Sequence, residues 1–505
     1  MKEKSLIMLF AIAFIALSCK DNSKSDVVNK KEKYRPNFHF TPKANWMNDP
    51  NGMVYYNDTY HLFYQYYPDS TVWGPMHWGH AKSKDLLHWE HRPIALYPDS
   101  LGDIFSGSAV IDKTNTSGFG KDAMVAMFTY HDMDGEKEGK INFQTQGIAY
   151  SLDEGETWTK YKGNPVIGNP GIKDFRDPKV FWNEEKENWQ MALVAKDKVI
   201  FYGSDDLKSW NKLSEFKFND DPPLGVWECP DLFKLPVQGT DEEKWVLIIS
   251  HGGNSSPNGG SGTRYFVGEY DGVTFTTNQQ ESQWIDYGTD NYAGVTYNNE
   301  PNNERIFIGW MSNWDYAITT PTKTWRSAMT LPRKLSLERI NDKYILKSTI
   351  IDGFDSLLSN MDIENSDKYP FEFESEKLQH SVISFEVKIN DKLEIELSNE
   401  LGDTYLISYD PVDGIFFTDR TNSGIVDFNK KFLMTPQQKI LIGKKEKLKI
   451  ELVLDASSIE IFLNEGEFVM TNQIFPKKDY HRFVIKKTDG LVIDNFKIQS
   501  VKSTL

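Results

Sequence analysis

Two cysteines in 505 residues, Cys19 and Cys229, exclude a disulfide framework. A basic face is missing too. The 73 acidic residues outnumber 57 basic ones, for a formal net charge of −16. That argues against a nucleic-acid footprint, which needs a positive surface, and against polyanionic substrates. The apolar run Leu6–Leu17 has only twelve residues, too few to span a bilayer comfortably. Long stretches of helical periodicity are nearly absent. The glycine-rich Gly252–Gly262 segment has no Gly-Lys-Ser/Thr and so is no phosphate loop; it reads as a hairpin or loop. What the chain has in quantity is aromatic: 14 Trp, 23 Tyr and 31 Phe. Such rings fill β-cores or stack on flat apolar ligand faces.

The short apolar run follows Met1-Lys2-Glu3-Lys4 and suits the hydrophobic region of a secretory signal. Ala16-Leu17-Ser18-Cys19 resembles a bacterial lipobox. Residues 1–18 are therefore expected to be a lipoprotein-type signal peptide, with Cys19 as the lipidated first mature residue. Residues 19–33, rich in Lys, Asp, Asn and Ser, read as a polar tether. The expected location is exported and membrane-anchored through that lipid, on the periplasmic or cell-surface face of a Gram-negative-type outer membrane.

Beyond the tether, short alternating or aromatic-rich runs are broken by Gly, Asn, Asp and Pro, the pattern of an all-β chain. A repeat runs through it. Ser83-Lys84-Asp85-Leu86 precedes Trp89, Ser151-Leu152-Asp153 precedes Trp158, Ser204-Asp205-Asp206-Leu207 precedes Trp210, and Asp271-Gly272-Val273 precedes Phe275. Each is a polar turn followed by an aromatic that anchors the next strand. A second set keeps the same beat: Asp49 in Asn-Asp-Pro, Ser106, Asp177 in Arg-Asp-Pro, Glu228 in Glu-Cys-Pro, and Asp290, at steps of 57, 71, 51 and 62 residues. Five such units predict a five-bladed β-propeller over 34–340, whose innermost strands crowd around one axis and can bring distant carboxylates into one pocket. From 350 to 505 the beat stops. Ile383, Phe385, Val387 and Ile389 alternate with polar residues, as do Leu393–Leu397, Leu448–Leu454 and Ile459–Leu463. That period of two, one face buried and one wet, predicts a C-terminal β-sandwich.

Chemistry concentrates in the acid-Pro motifs. Pro50 disfavours helical backbone at Asp49, and Asn51-Gly52 favours a turn, so Asp49 is expected on rigid, extended backbone, as a nucleophile requires. Asp177 repeats that logic with Arg176 beside it, and an adjacent guanidinium favours an ionised carboxylate. Glu228 has the apolar neighbours Trp227, Cys229 and Pro230, which favour a protonated carboxyl suited to general acid work. Glycoside cleavage needs this division: one carboxylate at the anomeric carbon and one acid on the leaving oxygen.

Trp46–Gly52, Phe105-Ser106-Gly107-Ser108, Phe175-Arg176-Asp177-Pro178 and Trp227-Glu228-Cys229-Pro230-Asp231 together resemble the signatures of glycoside hydrolase family 32, the β-fructofuranosidases: invertases, inulinases and levanases. Phe63–Tyr66, Trp73–His80 and Trp310–Trp314 fit as well, and Ser458–Phe462 is similar to part of the family's C-terminal sandwich. The resemblance implies a retaining glycoside hydrolase that releases β-linked fructose from levan, inulin or sucrose and needs no cofactor. It implies Asp49 as nucleophile, Glu228 as acid/base and Asp177 as transition-state stabiliser. Asn48, Gln65, Ser106 and Arg176 match polar subsite groups, and Trp73, Phe105, Tyr292 and Trp314 match an aromatic wall. A fructosyltransferase would share the intermediate, and a five-bladed arabinanase or xylosidase would share the propeller. A non-catalytic glycan-binding lipoprotein would have lost at least one of the acids. Metal binding by His77, His80, His88 and His91 is not expected, because residues three apart on a strand face opposite ways.

Overall fold

The computed structural model describes residues 32–220, 223–253, 256–362, 371–486 and 491–505. The signal segment, Cys19 and all but the last two residues of the tether lie outside them.

Five sheets, each built on four antiparallel strands, follow one another along the chain. Their innermost strands are Asn45–Tyr56, Asp103–Asp112, Phe175–Asn183, Trp227–Pro236 and Tyr292–Thr296. Each touches the next, and the fifth touches the first, so the sheets form blades I to V of a closed propeller. Closure is hydrogen-bonded. Asn298 N–H donates to Met53 C=O and its own C=O accepts from Tyr55 N–H, each at 3.0 Å. Trp325-Arg326 adds a short parallel strand to the edge of Asn45-Trp46 opposite the blade's second strand.

The repeated turns join the third and fourth strands of blades I to IV. In each the aspartate side chain replaces a missing backbone acceptor. Asp85 accepts from the N–H of Leu87 and His88, Asp206 from Lys208 and Ser209, and Asp271 from Val273 and Thr274. Asp153 does the same for Thr157. Blade edges close through two-residue turns at Asn57-Asp58 and Asn341-Asp342, both residues left-handed, the backbone that matches the twist of a tight hairpin.

After Ile350 the chain leaves blade V and builds two six-stranded sheets face to face. The alternating residues Ile383–Ile389, Leu393–Leu397, Leu448–Leu454 and Ile459–Leu463 meet in one core between them. The expectation of a wet outer face fails for one sheet. Strand Ser458–Leu463 is buried on both faces, because Val382, Val453, Phe462 and Val469 pack into the propeller's own apolar cluster. Buried charged side chains cross this seam. His39 bonds Asp455 at 2.8 Å and Glu460 at 2.7 Å, and all three side chains are fully buried. Arg333 bridges Glu460 to Asp286, and Arg420 reaches Asp290 at 2.9 Å. Asp290 thus keeps the sequence beat but faces the sandwich. Among the described residues no helix is long and apolar enough to cross a membrane.

Candidate active site

Every innermost strand breaks register at the same level. The shifts fall between Asn48 and Pro50, Ile104 and Gly107, Glu228 and Asp231, and Tyr292 and Val295. In blade III the slip around Asp177 and Pro178 shows against Ala192 and Val194. A bulge inserts an extra residue and re-aims its side chain. The inserted stretches carry Asp49, Phe105-Ser106, Asp177, Cys229-Pro230 and Ala293-Gly294, so each blade redirects residues beside the shared axis. Prolines at 50, 178 and 230 suit such places, since they cannot donate to a ladder.

The backbone differs from expectation at one acid. Asp49 avoids the left-handed region, but Asp177 sits in it at φ 62°, followed by Cys229 at 45° and Ala293 at 53°. The proline after Asp177 disfavours the right-handed helical basin without forcing extension. A left-handed residue of this kind costs about 1–3 kcal/mol and persists only where its surroundings fix it.

Asp49 accepts from Asn48 Nδ2 on one oxygen and Ser106 Oγ on the other, both at 2.9 Å. Asn48 is oriented in turn by Trp46 Nε1 at 2.7 Å. Burial pushes the Asp49 carboxyl up from its ordinary range, and these donors oppose the shift. Asp177 Oδ2 accepts from the Cys229 N–H at 3.0 Å. The Cys229 thiol lies 3.6 Å from Asp49 Oδ2 and 3.7 Å from Asp177 Oδ2, tying the two carboxylates together. Burial, with these acids beside it, pushes that thiol far up, so it is no nucleophile.

Arg176 does not serve Asp177 first. Its fork engages Asp174 and Glu228, each at 2.8 Å, and its Nε is 3.9 Å from Asp177. Glu228 is correspondingly not in an apolar niche. Trp227 turns away into the core of its blade, while Glu228 Oε1 meets Arg176 and Oε2 accepts from the Tyr292 hydroxyl. Its side chain keeps 22% of its exposure, against 6% for Asp177. Burial raises the Glu228 carboxyl, opposed by Arg176 and helped by Asp49. Asp177, deeper and less served by the guanidinium, is pushed up to about 7 by burial and by the charges of Glu228 and Asp49, against the pull of Arg176.

Gln65 lies opposite Asn48 in the ladder, buried, with no partner for its Nε2 among the described residues. Trp73 meets Phe105 edge to face at 6.1 Å, and Trp314 stacks on Trp46 at 6.0 Å. The backbone of Gly252 packs against Glu228 and Tyr292, where a side chain's first carbon would lie 3.3 Å from Glu228 Oε2. The glycine-rich segment therefore begins beside the acid. The four histidines go elsewhere: His80 bonds His61, His88 bonds Asp85, His77 bonds the Pro75 carbonyl, and His91 packs on Phe40. The sequence reading missed Thr129, Gln144 and Gln146, which bond the backbone of Phe175–Asp177. They sit in ordinary strand context with no motif to mark them.

A propeller whose innermost strands gather three carboxylates, with a sandwich on its flank, has the pair of carboxyl groups that a glycoside hydrolase needs. Residues 39–348 match the glycosyl hydrolases family 32 N-terminal domain and 353–503 the family 32 C-terminal domain. The chain belongs to glycosyl hydrolase family 32. It is 45% identical to a levanase of Bacillus subtilis over 487 residues, covering 93% of this chain and 70% of that one. It is 38% identical to an extracellular exo-inulinase of Aspergillus niger, covering 92% and 94%. The crystal structure of the Aspergillus awamori exo-inulinase superposes with TM-score 0.82 at 36% identity, over 94% of this chain and all of that one. A fructofuranosidase from Schwanniomyces occidentalis complexed with fructose gives 0.84 at 31%, over 94% and 99%.

Proposed function

We propose that the chain is a retaining β-fructosidase that removes fructose from levan, inulin or sucrose. One observation carries this: the two acids that would share the chemistry are held by different partners. Asp49 receives neutral donors from Asn48 and Ser106, which aim its oxygens and favour its ionised form. Glu228 is gripped by a guanidinium and a phenol, which stabilise the carboxylate left when its proton departs.

In the first step an Asp49 oxygen bonds to the anomeric carbon while the glycosidic C–O bond breaks. Glu228 gives its proton to the leaving oxygen. In the second, Glu228 takes a proton from water, the water oxygen bonds to the same carbon, and the Asp49 ester is released. Asp177 holds fructose hydroxyls and offsets positive charge at the ring. Gln65, whose Nε2 has no partner among the described residues, and Arg176 contribute further polar contacts, with Trp73, Phe105, Tyr292 and Trp314 as walls.

We infer further that the protein is exported and held at a membrane by lipid on Cys19. The relatives named extracellular support export, and an acidic mature chain gains little from anionic lipid headgroups. One experiment reads both proposals. Membranes from cells expressing the full chain should release free fructose from levan, inulin or sucrose. Cys19→Ala should move that activity to the soluble fraction at unchanged rate. No fructose from any of the three would overturn the substrate assignment, and activity that stays in the membrane would overturn the anchor.

A further inference from the structure

The left-handed Asp177 needs something to hold it, and its own blade does not supply it. At its start, Phe175–Asn183 presents a free backbone edge toward blade II. Three side chains from two strands of that blade, Ala123–His131 and Gln144–Ser151, meet this edge. Gln144 Oε1 accepts from Phe175 N–H at 2.8 Å. Gln146 Nε2 donates to Phe175 C=O at 2.9 Å. Thr129 Oγ1 accepts from Asp177 N–H at 3.0 Å and donates to Gln146 Oε1 at 2.6 Å. Thr129 and Gln146 are fully buried and Gln144 nearly so, and the side-chain polar atoms of all three are engaged by protein groups.

The polarity of this array is fixed from its ends. A carbonyl only accepts, so the Gln146 amide group must face Phe175 C=O, and its oxygen must face Thr129. The single Thr129 proton therefore goes to Gln146, leaving a lone pair for Asp177 N–H. Likewise Gln144 must turn its amide group toward His131 Nδ1, 3.1 Å away. His131 then accepts at Nδ1 and donates from Nε2 to Glu136 at 3.0 Å. The same imidazole stacks on Phe105 at 4.1 Å and 8°, so the array reaches from the Asp177 backbone to the aromatic wall.

We propose that Thr129, Gln144 and Gln146 are positioning residues that hold Asp177 in its left-handed backbone and so aim its carboxylate and the Arg176 fork at the sugar. This rests on the reading of Asp177 as transition-state stabiliser. A displacement of about 1 Å far from the chemistry can lower a rate roughly 100-fold. Thr129→Val, nearly the same shape, should lower kcat on sucrose roughly 10- to 100-fold with much less change in KM, and Thr129→Ser should restore it. In an Asp177→Asn background, Thr129→Val should cost less than about threefold more, because linked residues are not additive. If Thr129→Val does not fold, Gln146→Met enters the same cycle with the same expectations. An unchanged kcat, losses that multiply in the double variant, or no rescue by Thr129→Ser would overturn the positioning role alone. An Asp177→Asn variant with unimpaired kcat would overturn the underlying reading as well.

Discussion

At the scale of single residues, the site is set by which charge each acid meets, and chain neighbours were a poor guide to that. Arg176 stands beside Asp177 in the chain but bonds Glu228 across blades; Trp227 stands beside Glu228 but faces the blade core. On a strand, adjacent side chains point to opposite faces, so the residue beside an acid in the chain is often not its closest partner. Burial, with the charges of Glu228 and Asp49, raises Asp177 to about 7 against the pull of Arg176. Clustered acids titrate together, so the site retains a proton below about pH 7 and gives it up above. Burial raises the Glu228 carboxyl too, and that group is the one proposed to protonate the leaving oxygen. The kcat/KM for sucrose should therefore fall as pH rises through about 7, as stopped assays across pH 5–9 would measure. A flat profile over that interval would contradict the shared-proton account.

At the scale of elements, much was legible because the signals were local. Asx-type turns need an aspartate at a fixed offset, and the alternation of the sandwich strands needs apolar residues every second position. Both stand in the sequence as they stand in the structure, from Asp85 to Asp271 and from Ile383 to Leu463. The bulges were legible in part. The prolines after Asp49, Asp177 and Cys229 mark where ladders break, but not the left-handed turn at Asp177 or the bulge at Ala293-Gly294. Blade V offers Tyr292 to the pocket, while the acid on the beat, Asp290, turns to Arg420 and Tyr316 in the seam. The clamp of Thr129, Gln144 and Gln146 was not legible. Its meaning lies in which foreign backbone the side chains meet, and no local pattern encodes that.

At the scale of the whole molecule, the propeller and sandwich are joined by ion pairs sealed from water, where losing one partner typically costs about 3–5 kcal/mol. His39 is held up at about 9 by Asp455 and Glu460, against the cost of its burial. A histidine raised above its unfolded value stabilises fully below about pH 6.5 and loses that contribution as pH rises through about 9. Thermal unfolding of the full chain should therefore move to lower temperature between these values, and His39→Gln, already weakened, should lose that slope; equal slopes would contradict the seam's role. The central claim is that five blades converge to place a nucleophile on blade I and an acid/base on blade IV. Product analysis of Glu228→Gln on a fructoside with a good leaving group, with and without azide, tests it most directly. The expected result is a rate restored by azide and a fructosyl azide of retained configuration, formed on the Asp49 ester. An azide adduct of inverted configuration, or the same rescue from Asp177→Asn in place of Glu228→Gln, would contradict it.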